Sequence, residues 1–263
     1  MIDILDKFSK FGKKSDDSPH VAAGGGSEGS RKPVESYLFT TDKQRIVDLV
    51  QEMGMKVADA LKLSVDALVA EDLDLAGQVV KGDDDIDAME EAIDLECLRS
   101  IAMRQPVRDD LRFIFTVLKT VIDLERIGDQ AVNVAKWTVE LKKYPRMEIT
   151  EMIPEMRDVA EAMLRDAMNA FKNSDGSACG DIYNRDDILD KNYSAIFNSF
   201  IEKMASGAGD VNIVRVLTAQ MWIARHLERV GDHITNIAER VYFMDRGENL
   251  SHHRDKILGL FPV

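Results

Sequence analysis

The sequence predicts an all-α protein of two tandem three-helix bundles related by internal duplication, and three observations carry that expectation. Of the 263 residues, 45% are apolar and 31% charged but only 6 are Pro, a helix-former's composition with ample material for a core. Apolar residues recur at helical spacing over long stretches separated by a few breakers. Finally, sliding the chain along itself by 103 residues superposes Asp72 on Asp175, Asp83 on Asp186, Asp87 on Asp190, Arg112 on Arg215 and Leu124-Glu125-Arg126 on Leu227-Glu228-Arg229. Gly128, Asp129, Asn133 and Ala135 fall in the same way on Gly231, Asp232, Asn236 and Ala238, with no gap anywhere.

The elements follow in chain order. Residues 1–41 read as a flexible N-terminal extension. Ile2, Leu5, Phe8 and Phe11 recur every three residues beside Ile4 and allow a short amphipathic start, although isolated helices of that length are marginal. Residues 12–34 are dominated by Gly, Ser and Lys and read as a linker. The first bundle occupies 42–145. Its first helix, ending near Ala70, carries the stripe Ile46, Leu49, Val50, Met53, Val57, Ala60, Leu61, Ser64 and Leu68. The second runs from about Asp74 to Met103, with Pro106 in the following turn, and the third from near Arg108 to about Lys143, where Tyr144-Pro145 stops it. The second bundle, 146–246, repeats this order: Pro154 to about Asn173, near Ser177 to Ser206, and Asp210 to about Arg246. Residues 247–263 form a C-terminal tail containing Ile257-Leu258-Gly259-Leu260-Phe261. Helices of about 30 residues are about 45 Å long, and short turns between them give antiparallel bundles packed side by side.

The charge balance bounds the function. Lys and Arg number 34 against 47 Asp and Glu, a net charge of −13, so a nucleic-acid partner recognised through bulk charge is disfavoured. Cys97 and Cys179 are the two cysteines and have no CxxC or Cys/His ligand spacing, which argues against a disulfide framework or a structural zinc site. Met1 to Phe11 interleaves charges with apolar residues, and no run of about 18 apolar residues occurs. The expectation is a soluble cytoplasmic protein that reaches a membrane only through partners.

Carboxylates stand where the apolar pattern calls for Leu. In the third helix the stripe Leu111, Phe115, Leu118, Ile122 leads to Glu125, Asp129 and Val132. In the last, Val214, Leu217, Met221 and Ala224 lead to Glu228 and Asp232. On the second helix of each repeat, Asp83 with Asp87 and Asp186 with Asp190 are four residues apart, which places each pair on one helix face. Burying ionised carboxylates without a partner costs many kcal/mol, so each must sit at a rim, meet a cation or hold a proton. Four converging carboxylates, only partly neutralised by Arg126 or Arg229, suit hard cations with oxygen ligands: Mg²⁺, Mn²⁺, Ca²⁺ or an iron centre. The competing reading is a solvated acidic face, with Asp83-Asp84-Asp85 as a helix N-terminal acidic run favourable to the macrodipole. Gly128 and Gly231 inside helices suggest close helix approach beside the acidic pairs.

Other chemistry finds less support. No Glu-x-x-His motif accompanies the carboxylates, which disfavours ferritin-type di-iron oxidation. His226 and His233 flank the second acidic pair, where the first repeat has Asp123 and Gln130; they read as surface or local hydrogen-bonding residues in preference to ligands. Asn133 and Asn236 read as structural. The Gly-rich segment lacks the Gly-Lys-Ser/Thr of a nucleotide loop, and no Ser-His-Asp or Cys-His set emerges from spacing. The chain is expected not to be an enzyme.

Pro106-Val107-Arg108-Asp109-Asp110-Leu111-Arg112, Asp123-Leu124-Glu125-Arg126-Ile127-Gly128-Asp129-Gln130 and His226-Leu227-Glu228-Arg229-Val230-Gly231-Asp232-His233 together resemble the PhoU family. The likeness spans roughly residues 42–246, and the doubled E-R-[IV]-G-D is its specific signature. The resemblance implies two tandem three-helix bundles with pseudo-twofold symmetry and multinuclear metal clusters on E(D)xxxD motifs. Carried over by residue, these motifs are Asp83 with Asp87, Glu125 with Asp129, Asp186 with Asp190, and Glu228 with Asp232. The bound ions would be divalent or trivalent, with Fe, Mn, Mg, Ca and Zn all open. It further implies a homodimer and a negative regulator of phosphate uptake and the phosphate-starvation response. Such a regulator links the ATPase of a phosphate ABC transporter to a sensor histidine kinase, while other members serve sodium-phosphate cotransporters. A metal-binding or storage protein is the competing reading from another class. A metal-dependent phosphatase would need an open coordination position and a substrate pocket.

Overall fold

A computed structural model describes residues 34–206 and 210–249, with side chains from residue 40. The amphipathic start, the linker up to residue 33 and the apolar tail lie outside the described residues. Six helices form: α1 Val34–Ala70, α2 Leu73–Arg104, α3 Asp109–Leu141, α4 Met152–Asn173, α5 Cys179–Ala205 and α6 Val211–Arg246. The order is that of the expected duplication, and among the described residues there are no strands. α1 begins at Val34, not at residue 42, so its first turns take in part of what the sequence assigned to the extension. The Val-Glu-Ser-Tyr-Leu-Phe segment there contains no helix breaker, which is why the helix runs back to Val34. None of the helices described is long and apolar enough to cross a membrane.

The duplication extends to turn chemistry. At the α1–α2 corner Glu71 adopts φ 54° and the Asp72 N–H donates to the Ala67 carbonyl at 2.9 Å. At the α4–α5 corner Ser174 adopts φ 53° and the Asp175 N–H donates to the Ala170 carbonyl at 2.9 Å. Both are left-handed helix ends that satisfy otherwise orphaned carbonyls. Asp72 then caps α2 by accepting from the Asp74 and Leu75 amides, and Asp175 caps the short 3₁₀ turn Gly176–Ala178 that leads into α5. Each aspartate therefore ends one helix and begins the next, which fixes the tight reversal between the first two helices of each bundle.

The two bundles share one continuous apolar core with residues from all six helices. α3 and α6 pack against each other at its centre, flanked by α2 on α3 and by α4 and α5 on α6. α1 is tied to α4, where the Gln51 side-chain amide donates to the Met168 carbonyl at 2.9 Å and Arg157 pairs with Asp66 at 2.6 Å. Cys97 and Cys179 are buried free thiols whose pKa burial pushes up to about 12.

One core assignment is corrected. The stripe Leu111, Phe115, Ile122 is not the core face of α3: these residues are 48%, 46% and 42% exposed, while Phe113, Ile114, Val117, Val121, Leu124 and Ile127 are buried. α3 is covered from several sides, so its apolar arc is wider than one stripe. The stripe leading to Glu125 and Asp129 runs along the edge of that arc.

Candidate metal centres

Each bundle gathers its acidic pairs where its second helix lies along its third. In the first, Asp83 and Asp87 come from α2 and Glu125 and Asp129 from α3. Partial burial raises the Asp83 pKa, and the charges of Asp87 and Asp129 raise it further against an opposing effect of Lys136. Glu125 is raised by burial, then by Asp129, with Glu90 and Asp87 adding to the effect. The four expected residues therefore share one electrostatic patch. Asp83 lies in the third turn of α2, which starts at Leu73, so the reading of Asp83-Asp84-Asp85 as a helix N-terminal acidic run does not hold.

The first patch has a member that sequence reasoning missed. Glu90 follows Asp87 by one turn, and its pKa is raised by burial and by the charges of Asp94 and Asp87. The 83, 87, 90, 94 spacing marks one helix face and was a legible signal. The second bundle carries Tyr193 and Phe197 at the positions equivalent to Glu90 and Asp94.

In the second patch Asp186 and Asp190 from α5 meet Glu228 and Asp232 from α6. The Asp186 carboxyl is pushed up to about 7 by burial and then by Asp190, Asp232 and Glu228. Asp190 and Glu228 shift in the same direction, burial leading in both. Asp186 Oδ1 and Glu228 Oε2 are buried without a hydrogen-bond partner. An all-oxygen donor set with raised proton affinity and unsatisfied buried oxygens fits a hard cation. The carboxylates form patches and not closed cages, since among the described residues no three Asp, Glu, His or Cys side chains are already drawn together around one point.

The glycines explain how the helices come so close. A Cβ on Gly231 would stand 2.4 Å from Asp186 Oδ1 and 2.6 Å from Leu189 Cδ1. At Gly128 the nearest atom would be Ile86 Cδ1 at 3.2 Å, with Asp83 Oδ1 at 3.8 Å. Cationic neutralisation differs between the repeats. Arg126 reaches Glu125 at 3.3 Å and Asp129 at 3.2 Å, as the sequence suggested. In the second bundle, however, Glu228 accepts from Arg225, one turn before the expected Arg229.

The flanking histidines bind across the α3–α6 interface. His226 Nδ1 lies 2.8 Å from Gln130 Oε1, and His233 Nδ1 lies 3.0 Å from Asp123 Oδ1, which also accepts from the Asn236 amide at 3.2 Å. Positions 123 and 226 are equivalent under the duplication, as are 130 and 233. The two contacts are therefore images of each other across the pseudo-twofold axis, and the histidines are engaged between bundles and turned to hydrogen bonding.

The acidic patches contribute to the pH dependence of the metal-free chain. The native Asp186 carboxyl keeps its proton to a higher pH than the unfolded one. Native protein thus binds more protons between the ordinary carboxylate range and about 7, and its stability falls as pH rises through that window. With solvent screening of this partly exposed group, Asp186 accounts for about 1–2 kcal/mol of the loss. Burial and then Arg229 hold the His226 pKa down, which works the other way and adds stability as pH rises toward neutrality. Chelator-treated wild type is therefore expected to lose stability relative to Asp186→Asn between pH 4 and 7 in thermal unfolding, and a difference between the two that stays constant across this window would refute it.

Comparison with known proteins decides the family. The PhoU domain profile matches residues 50–138 and again residues 153–241. The chain belongs to the PhoU family. Its PhoU domains are 34% identical over 220 residues to a phosphate-specific transport system accessory protein PhoU homolog of Pseudomonas putida, covering 82% of this chain and 84% of that one. Identity to the phosphate-specific transport system accessory protein PhoU of Escherichia coli K12 is 32% over 217 residues, covering 82% and 89%. The crystal structure of PhoU from Pseudomonas aeruginosa superposes with a TM-score of 0.74 at 33% identity, covering 80% of this chain and 100% of that one. The phosphate transport system regulatory protein PhoU from Streptococcus pneumoniae gives 0.73 at 28% identity, covering 80% and 98%.

Proposed function

We propose that this chain is a regulator of phosphate uptake and the phosphate-starvation response, a metal-bearing adaptor between a phosphate ABC transporter ATPase and a sensor histidine kinase. Relatives covering most of the chain are named as accessory proteins of a phosphate-specific transport system, and this supports the phosphate role. The observation that carries the metal role is the doubled carboxylate patch, in whose second copy the unsatisfied Asp186 and Glu228 oxygens call for a cation. Asp83, Asp87, Glu125 and Asp129 would hold the first centre, with Glu90 at its edge, and Asp186, Asp190, Glu228 and Asp232 the second. A bound cation would neutralise each patch and fasten α2 to α3 and α5 to α6. The helices would then present a rigid surface to partners, and a homodimer would double it.

The test joins expression and recovery. Deleting residues 42–246 is expected to derepress phosphate-uptake genes in high phosphate, and affinity recovery of the full chain from such cells is expected to bring down the transporter ATPase together with bound metal. Metal storage is the second reading, favoured by the duplication of the acidic patches. It would prevail if the deletion left phosphate-dependent expression unchanged while cellular metal content shifted.

A further inference from the structure

Along α3, Leu111, Phe115, Leu118 and Ile122 share one stripe, and Leu111, Phe115 and Ile122 are nearly half exposed. Phe243 of α6 widens it, its ring meeting that of Phe115 edge-on with 6.1 Å between centroids. Contiguous apolar surface of this kind marks a place where something docks. The duplication shows that the fold itself does not demand the stripe. The second repeat breaks it, with Thr218 and Arg225 at the positions equivalent to Phe115 and Ile122, and an exposed Trp222 where the first has Lys119.

The last helix stops beside the Leu111 end of that stripe. Gly247 takes a left-handed φ of 72° and its N–H donates to the Phe243 carbonyl at 2.8 Å, which closes α6. It lies so near the first turn of α3 that a Cβ there would stand 1.9 Å from Arg112 Nη1. The chain beyond residue 249 therefore departs next to the stripe. It carries Ile257-Leu258-Gly259-Leu260-Phe261, and it follows the second PhoU domain match, which ends at residue 241. Residues 250–256 can span up to about 25 Å and residues 257–261 up to about 17 Å, while Leu111 to Ile122 covers about 16 Å of α3. The apolar segment thus has both the reach and the length to lie along the stripe.

We propose that residues 257–261 dock on the Leu111–Phe115–Ile122 stripe of their own chain, as an intramolecular strap over α3. A link of so few residues holds the segment at an effective concentration on the order of millimolar. Even a weak apolar contact is then made within the chain ahead of a second copy or another protein. Glu125 and Asp129 continue the stripe, so the strap covers the apolar approach to the first acidic patch. The inference does not rest on the metal reading.

The experiment attaches a nitroxide to the full chain through Val263→Cys. Cys97 and Cys179 are buried thiols, so the reagent takes the new one. Side-chain methyl signals of the isotope-labelled protein are read by NMR with the nitroxide oxidised and then reduced, which cancels other sources of broadening. Leu111, Leu118 and Ile122 are expected to lose most of their intensity, while Val214, about 48 Å along α6 from Arg246, keeps it. Leu258→Gln combined with Leu260→Gln leaves the bundle untouched and should restore the α3 signals, as should Phe115→Gln at its half-exposed site. Absence of loss on α3, equal loss at Val214, or loss that survives the paired tail substitution would overturn the proposal. So would loss on α3 in a mixture of nitroxide-bearing unlabelled chain with labelled chain that has no nitroxide, since the tail would then dock on a second copy.

Discussion

Glu125→Ala combined with Asp129→Ala is expected to strip metal from the first bundle and leave the second loaded. The reason lies in the separation of the two patches: the shifts of Asp83 and Glu125 trace to groups on α2 and α3, and those of Asp186 and Glu228 to groups on α5 and α6. The carboxylates that raise the pKa values in each patch lie within that patch, so removing two donors from the first leaves the second's donor set whole. Removing them also relieves repulsion on Asp83 and Asp87, so the metal-free double variant should be no less stable than metal-free wild type. Metal analysis of purified protein, with unfolding curves before and after chelation, reads both effects. Unchanged metal content in the double variant would remove Glu125 and Asp129 from the site.

Gly231→Ala is expected to destabilise the protein by about 1–3 kcal/mol, the usual cost of overpacking a tight contact, despite the gain of about 1 kcal/mol in helix propensity on replacing Gly. The new methyl would meet Asp186 and Leu189, both on α5, at 2.4 and 2.6 Å. Relief requires the Asp186 and Leu189 side chains to turn away together or α5 to move off α6, and either change withdraws the Asp186 carboxylate from the patch. Gly128→Ala provides the control. Its nearest neighbour is the flexible end of Ile86 at 3.2 Å, so the propensity gain should win and leave that variant neutral or slightly more stable. Equal effects of the two substitutions, read from chemical denaturation, would show that close approach is not what the glycines provide.

Sequence alone was sufficient for the architecture because duplication is written in residue identities. The gapless match assigned six helices to two repeats, and its superposition of Asp72 on Asp175 already held the shared turn, which the structure supplies as an aspartate that ends one helix and caps the next. The sequence also put the eight carboxylates on the second and third helices of each repeat, where they lie, as i, i+4 spacing is a property of one helix. Glu90 was equally readable from the 83, 87, 90, 94 spacing, but it lay outside the duplicated set on which the reading relied.

What the tertiary structure decided is how the helices turn toward one another. Periodicity defines parallel stripes on a long helix but not which stripe meets a neighbour, so Leu111, Phe115 and Ile122 were placed in a core whose edge they only border. The same ambiguity hid Arg225, one turn from the motif arginine, as the partner of Glu228. Contacts between residues about 100 positions apart, such as His226 with Gln130 and His233 with Asp123, exist only because α3 packs on α6 about a pseudo-dyad. The cavity lined by Leu68, Thr138, Pro154, Val216 and the segment between α3 and α4 is the clearest case. Its walls come from α1, α3, α4, α6 and the joining segment, and no pattern along one helix can register a space enclosed by five pieces of chain.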